Sequence, residues 1–267
     1  GGKGIMWFCS LYSGSSGNCL YVGTPKTNIL IDAGLSGKKI VSSLKEIGIP
    51  PESIDALLIT HEHGDHIKGA GIISRMFNIP IFANNNTWEA MSKSIGKVKE
   101  ENIKVINVDK GFTIGDIDIL PYSIPHDAVE PVGYCLGNNG KKISIATDIG
   151  HVNEYMINKI QGSNFMLLEA NHDVEMLKFG PYPYPLKRRV LSDIGHLSND
   201  DAGKAILNLF RDKQLNVMLG HLSKQNNYPE LAYETVVSFL KQNCINIGKD
   251  VNLDLASRDN VSNFIEV

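Results

Sequence analysis

The segment Thr60-His61-Glu62-His63-Gly64-Asp65-His66 places three histidines and two carboxylates in six consecutive residues, and the whole chain has only eight histidines. Imidazole and carboxylate are the common protein ligands of zinc and related divalent ions. His61 and His63 are two apart, so an extended or turning backbone can aim both at one ion. Asp65 and His66 can reach a second ion from the next turn. A loop made polar only for solvation has no need to gather so many histidines. A pair of bound ions lowers the pKa of water towards neutrality and clamps the oxygens of a phosphoryl group. With Asp65 and one further carboxylate as ligands, such a site keeps surplus positive charge and suits an anionic diester. The ligand types alone leave lactam, thioester and phosphodiester substrates open.

The elements that must hold these residues are short. Ala56 to Thr60 is an apolar run ending at His61. Ile29 to Ile31 ends at Asp32-Ala33-Gly34, Ile143 to Ala146 ends before Asp148, Phe165 to Leu168 ends at Glu169, and Asn216 to Leu219 ends before His221. These read as buried strands, as does Pro80 to Ala83; Ile114 to Ile119 and the tail Val251 to Ala256 read as further strands. Helical patterns fall on Lys38–Ile47, Ile67–Phe77, 152–160, Asp200–Asp212 and Pro229–Gln242. Strands and helices are mixed in both halves, which predicts an α/β fold of layered sheets and helices. Neither a composition break nor a repeat divides the chain, so residues 6–267 are expected to form one domain. The residues before Met6 (1–5) are expected to be a non-native extension.

Composition narrows the class. The 267 residues are 42% hydrophobic and 21% charged, enough for a packed core and against disorder. No run of 18 apolar residues exists, which excludes a membrane-spanning helix. There is no secretory leader pattern. Four cysteines (Cys9, Cys19, Cys135, Cys244) without a C-x-x-C argue against a disulfide framework and for a reducing cytoplasm. The formal net charge of −3 does not advertise nucleic-acid binding, although bound metal ions or a local patch can supply a positive field.

The ordered set Asp32, His61-x-His63-x-Asp65-His66, His126, Asp148 and His221 resembles the metallo-β-lactamase superfamily over nearly the whole chain. Taken singly, an aspartate after a strand is as readily a cap or turn former, and His126 a loop histidine. The resemblance implies an αββα four-layer sandwich with two divalent ions (Zn or Mn, with Fe also admissible). By it, one ion takes His61, His63, His126 and Asp148. The other takes Asp65, His66, Asp148 and His221, and Asp32 supports the loop without ligating. His151 and His172 match no ligand position and read as surface or supporting residues. The further order Glu169-Ala170, Gly195-His196-Leu197-Ser198 and Gly220-His221-Leu222-Ser223 is similar to the ribonuclease Z branch. There the resemblance makes Glu169 orient His196, His196 the acid for the leaving oxygen, and Asp65 the group that orients the water.

The motif Ser13-Gly14-Ser15-Ser16-Gly17-Asn18, joined to the others, resembles the YycJ/WalJ family of 5′→3′ DNA exonucleases, linked to mismatch repair and double-stranded ends. The interval from Asp148 to His221 is too short for the inserted β-CASP domain of other nucleases of the superfamily. The implied substrate is nucleic acid, DNA in preference to RNA, with no membrane partner. A ribonuclease, or a hydrolase of a cyclic phosphodiester, thioester or lactam, is the alternative; the Glu169 and His196 pair argues against the last two. Candidate substrate contacts are Ser15, Ser16 and Asn18, whose Gly/Ser-rich loop can offer backbone N–H groups to phosphate. Tyr182, Tyr184, Lys187, Arg188 and Arg189 are the others. Their segment, Gly180 to Arg189, is expected to be a stiff extended piece because three prolines alternate with two tyrosines.

Overall fold

A computed structural model describes residues 4–211 and 213–267. Gly1 to Lys3, part of the expected extension, and Asp212, the expected end of a helix, lie outside the described residues. The chain divides into two compact units: 1–123 with 128–141 and 257–267, and 124–127 with 142–256.

The first unit opens with a hairpin of β1 (Trp7–Gly14) and β2 (Gly17–Gly23), antiparallel and closed by the two-residue turn Ser15-Ser16. β3 (Asn28–Ile31) pairs antiparallel with β2. After α1 (Gly37–Glu46), β4 (Ala56–Leu58) pairs parallel with β3. α2 (Gly64–Ile67) and α3 (Ala70–Phe77) lead to β5 (Ile81–Asn84), and α4 (Asn85–Ile95) to β6 (Ile103–Ile106), both strands again parallel. The parallel strands are apolar because both faces are covered; Leu30, Leu57 and Ile81 are buried with Ile40, Ile73 and Met91 of the helices. β7 (Phe112–Ile114), β8 (Ile117–Ser123) and β9 (Val132–Asn138) follow as an antiparallel meander.

The second unit carries β10 (Lys141–Ala146), α5 (Glu154–Ile160), β11 (Phe165–Glu169), α6 (Val174–Phe179), α7 (Tyr184–Val190), α8 (Asn199–Leu209), β12 (Leu215–Gly220), α9 (Pro229–Gln242) and β13 (Val251–Leu255). β10 to β13 are parallel neighbours in chain order. The chain ends in the first unit with β14 (Ile265–Glu266) beside β1, which completes the sheet order β14-β1-β2-β3-β4-β5-β6. Crossover helices between parallel strands put every β10–β12 carboxyl end on one edge, where ligands collect in such sheets.

Four expectations need correction. Ile114 to Ile119 is not one strand but two, broken by the turn Gly115-Asp116. Gly115 has φ +57, and a Cβ there would lie 2.0 Å from Thr27 Oγ1, while Thr24 and Thr27 each donate to Asp116 Oδ1 at 2.7 Å. The helix over Ile67–Phe77 is interrupted at Lys68-Gly69, because Gly69 N–H turns aside to donate to Ala33 O (2.7 Å). The tail strand β13 is not last. Finally, Gly180 to Arg189 is not extended throughout: Pro183 and Pro185 sit at the cap and first turn of α7, where a missing N–H costs nothing.

Candidate metal centre

In the first unit, Asp32 leaves β3 with φ +60, a left-handed conformation that carries strain for a residue with a side chain. That turn aims its carboxylate at the neighbouring strand end. Oδ1 accepts from Thr60 N (2.9 Å), and Oδ2 accepts from Thr60 Oγ1 (2.8 Å) and His66 Nδ1 (2.7 Å). Thr60 Oγ1, its hydrogen given to Asp32, accepts from His61 Nδ1 (2.9 Å). Both histidines thus carry their proton on Nδ1 and keep an Nε2 lone pair, the tautomer that a metal ligand needs. The rings converge: His61 lies 4.6 Å from His63 and 4.0 Å from His66 between centroids. His63 caps α2, and Asp65 is half-buried in its first turn with Oδ2 3.7 Å from His66 Nε2. Gly34 is required here, since a Cβ would sit 1.6 Å from Asp65 O.

In the second unit, Asp148 and His221 leave β10 and β12 with φ +57 and +55. Glu169, fully buried at the end of β11, stands between them. Its Oε1 accepts from His196 Nδ1 (2.8 Å) and from His221 Nδ1 (2.7 Å). Its Oε2 accepts from Ile149 N (2.8 Å) and Leu197 N (3.2 Å). Asp148 Oδ1 lies 3.5 Å from His221 Nδ1 and 3.9 Å from His126 Nε2. His126 Nδ1 donates to Gly195 O (3.2 Å), so its Nε2 also keeps the lone pair. Ligand atoms of Asp148, Glu169, His196 and His221 all fall within 4.8 Å of one another.

The electrostatics follow from burial and from Glu169. Burial works against its charge, but the charge and hydrogen bond of His196 and the hydrogen bond of His221 hold the Glu169 carboxyl well below the usual range. Burial likewise opposes a charged His196, and the Glu169 carboxylate outweighs it, so the His196 pKa is raised. Burial lowers that of His126, partly offset by Asp148. The His196 side chain remains 18% exposed, open enough to meet a substrate. Donor type, tautomer and convergence in both units fit divalent ions.

The expected Glu169–His196 pair is therefore present; His61, His63, His126, Asp148 and His221 follow strand ends, and Asp65 and His66 lie in the short helix α2. Several features escaped the sequence. Glu169 also fixes His221, and Thr60 links Asp32 to His61. Asn18 is buried, with Oδ1 accepting from Gly14 N (3.0 Å) and Nδ2 3.1 Å from His66 Nε2, so it lies against an expected ligand. His172, expected at the surface or in support, is buried with 1% exposure, and burial pushes its pKa down to about 4. His151 is exposed, Nδ1 donating to Asp193 O (2.9 Å). Ser15 and Ser16 are exposed in the β1–β2 turn. Tyr184 and Arg188 are exposed, Tyr182 is half-buried, and Lys187 Nζ donates to Lys178 O (2.7 Å). Arg189 is held by Asp127, the residue after His126, through Nε and through Nη2 (3.1 Å).

Comparison with known proteins agrees with this geometry. The family described as "Beta-lactamase superfamily domain" matches residues 27–217. The chain is 44% identical over 259 residues to exodeoxyribonuclease WalJ of Streptococcus pneumoniae (strain ATCC BAA-255 / R6), covering 96% of both chains. It is 41% identical over 244 residues to exodeoxyribonuclease YycJ of Bacillus anthracis, covering 91% of this chain and 92% of that one. Among solved structures, the metallo-β-lactamase fold protein YhfI of Bacillus subtilis superposes with a TM-score of 0.72 over 98% of this chain and all of its own, at 14% identity, which shows the fold. The fold is the α/β sandwich expected from the sequence, and the chain belongs to the β-lactamase domain superfamily, among the relatives of WalJ and YycJ.

Proposed function

We propose that the protein is a dimetal phosphodiesterase that digests DNA from an end, with 5′→3′ polarity. The observation that carries this reading is the buried Glu169 carboxylate shared by His196 and His221, which joins an acid to a ligand. A thioesterase has little use for such an acid, because a thiolate leaves unaided, whereas a poor alkoxide leaving group needs one. The extensive identity to proteins named exodeoxyribonuclease supports DNA over RNA.

One ion is assigned to His61, His63, His126 and Asp148, the other to Asp65, His66, Asp148 and His221. When bound, two divalent ions supply electrostatic stabilisation of the phosphate and a more acidic water; Zn, Mn and Fe all suit nitrogen and oxygen ligands. Asp65 orients the attacking water and accepts its proton. His196, protonated because Glu169 favours the imidazolium, gives the Nε2 proton to the leaving oxygen. Asp32 and Thr60 hold the His61 and His66 rings. Ser15, Ser16, Asn18 and Arg188 border the substrate; Arg189 serves it through Asp127. The two units act as one functional domain. Four free cysteines suit a reducing cytoplasm, among the described residues no helix is long and apolar enough to cross a membrane, and DNA-end processing in repair is the cellular role.

The test is a substrate panel with metal-loaded protein: 5′-phosphorylated duplex DNA, single-stranded DNA, RNA and a chromogenic lactam. Stepwise release of nucleotides from the 5′ ends of DNA is expected. Turnover of the lactam or RNA ahead of DNA would refute the assignment.

A further inference from the structure

Two carboxylates flank Nε2 of His126. Asp148 Oδ1 lies 3.9 Å from it and Asp127 Oδ1 lies 3.4 Å from it. The nearer of the two is not the assigned ligand. What sets Asp127 apart is its partner. The guanidinium of Arg189 grips it as a fork, Nε to Oδ2 and Nη2 to Oδ1 (3.1 Å), so both carboxylate oxygens are engaged.

Arg189 stands in the last turn of α7 on a fixed backbone. Its carbonyl accepts from Ser192 Oγ (2.8 Å) and from Ser192 N (3.2 Å). Lys187 Nζ donates to Lys178 O (2.7 Å), which ties α7 to the end of α6. Val190 O, one residue on, accepts from His196 N (3.0 Å), and a Cβ on Gly195 would lie 2.3 Å from Arg189 O. Gly195 O in turn accepts from His126 Nδ1 (3.2 Å). One turn of helix thus carries the grip on Asp127 and supports the segment that holds His126 and His196.

Such a pair contributes little to folding. The Arg189 side chain is 51% exposed and that of Asp127 22%, and water screens an ion pair so open. Its geometry bears on the site instead. A carboxylate beside His126 Nε2 is itself a suitable ligand for a divalent ion. As a third carboxylate in the set, after Asp65 and Asp148, it would cancel positive charge that draws a phosphodiester. It would also fill a position that a catalytic ion keeps open for substrate.

We propose that Arg189 is a positioning residue that withholds the Asp127 carboxylate from the ion assigned to His126, and so preserves the charge and the open position of that ion. This rests on the dimetal reading and deepens it. Arginine suits the task because its planar fork engages both oxygens at once, whereas lysine offers a single point charge.

The test measures affinity for Mn²⁺ and Zn²⁺ by chelator competition, and turnover of a nitrophenyl phosphodiester on the same metal-loaded samples. Arg189→Ala should bind its ions at least as tightly as the wild type and yet lose about 10- to 100-fold in kcat/KM. Combining it with Asp127→Asn should recover most of that loss, because the added carboxylate is gone; the recovery also separates the effect from misfolding. Arg189→Lys should fall between the wild type and Arg189→Ala. Weaker ion binding in Arg189→Ala would overturn the proposal, since a mere brace of the His126 segment predicts that result. So would a double variant no better than the single one, or a loss confined to DNA, which would make Arg189 a direct contact. Failure of the wild type to take up ions would show before any variant is made, and would sink the metal-centre reading and the proposal together. Digestion of DNA by the wild type is scored separately, so a failed nuclease reading leaves the comparison on the small ester standing.

Discussion

Glu169 Oε1 holds both His196 and His221, so under the proposed function the one carboxylate serves proton transfer and metal retention together. Glu169→Gln should lower the His196 pKa, move the alkaline limb of the rate profile to lower pH, and weaken metal binding by about 10- to 100-fold. A pH–rate profile with parallel metal titration checks this; a variant with wild-type metal affinity would show that His221 is held by other groups. His172 is none of the expected ligands, although the charges of Glu169 and His196 reach it. Its pKa is about 4 in the fold because burial disfavours the imidazolium. The unfolded chain protonates it near 6.5, so between about 6.5 and about 4 the unfolded state binds the extra proton and stability falls with pH. The cost grows to about 3 kcal/mol and is constant at lower pH. Denaturant titrations of the wild type and His172→Gln should diverge over that window; parallel curves would mean that His172 gains a buried partner on protonation.

Among the elements, turns decide more than strands or helices. The β strands that end at Asp32, His61, Asp148, Glu169 and His221 were legible because buried parallel strands are uninterrupted apolar runs. The seven candidate ligands could be named from the sequence because their types and order resemble a known pattern. What was not legible depends on distant residues. Nothing near Ile114 announces that Thr24 and Thr27 will stabilise a turn at Asp116. Nothing near Glu169 shows that one oxygen serves two histidines 27 and 52 residues away. The extended reading of Gly180 to Arg189 failed because prolines in a first helical turn are compatible with α7. Two glycines of the first ligand cluster make a contrast at this level. Gly34→Ala would drive a Cβ to 1.6 Å from Asp65 O and displace α2, whereas Gly64→Ala meets nothing within 4 Å. Thermal unfolding should show Gly64→Ala within about 1 kcal/mol of wild type, since alanine favours the helix. Gly34→Ala should unfold early and retain little metal; normal stability and metal content there would mean that the Asp32 loop is pliable.

For the molecule as a whole, an acidic chain digests a polyanion. The formal charge of −3 repels DNA at long range, so attraction has to be local. On the proposed reading, bound ions and the bases of α7 supply it, and the buried carboxylates Asp32, Asp148 and Glu169 are paired with histidines. Such a division of labour separates binding from chemistry, and one comparison of rates isolates the chemistry. His196→Ala, loaded with metal, is assayed on a DNA oligonucleotide and on a nitrophenyl phosphodiester, whose leaving group needs no acid. Turnover of DNA should fall by about 10²- to 10⁴-fold with metal content preserved, and turnover of the nitrophenyl ester should fall far less. An equal loss on both substrates would contradict the role of His196 as the acid held by Glu169.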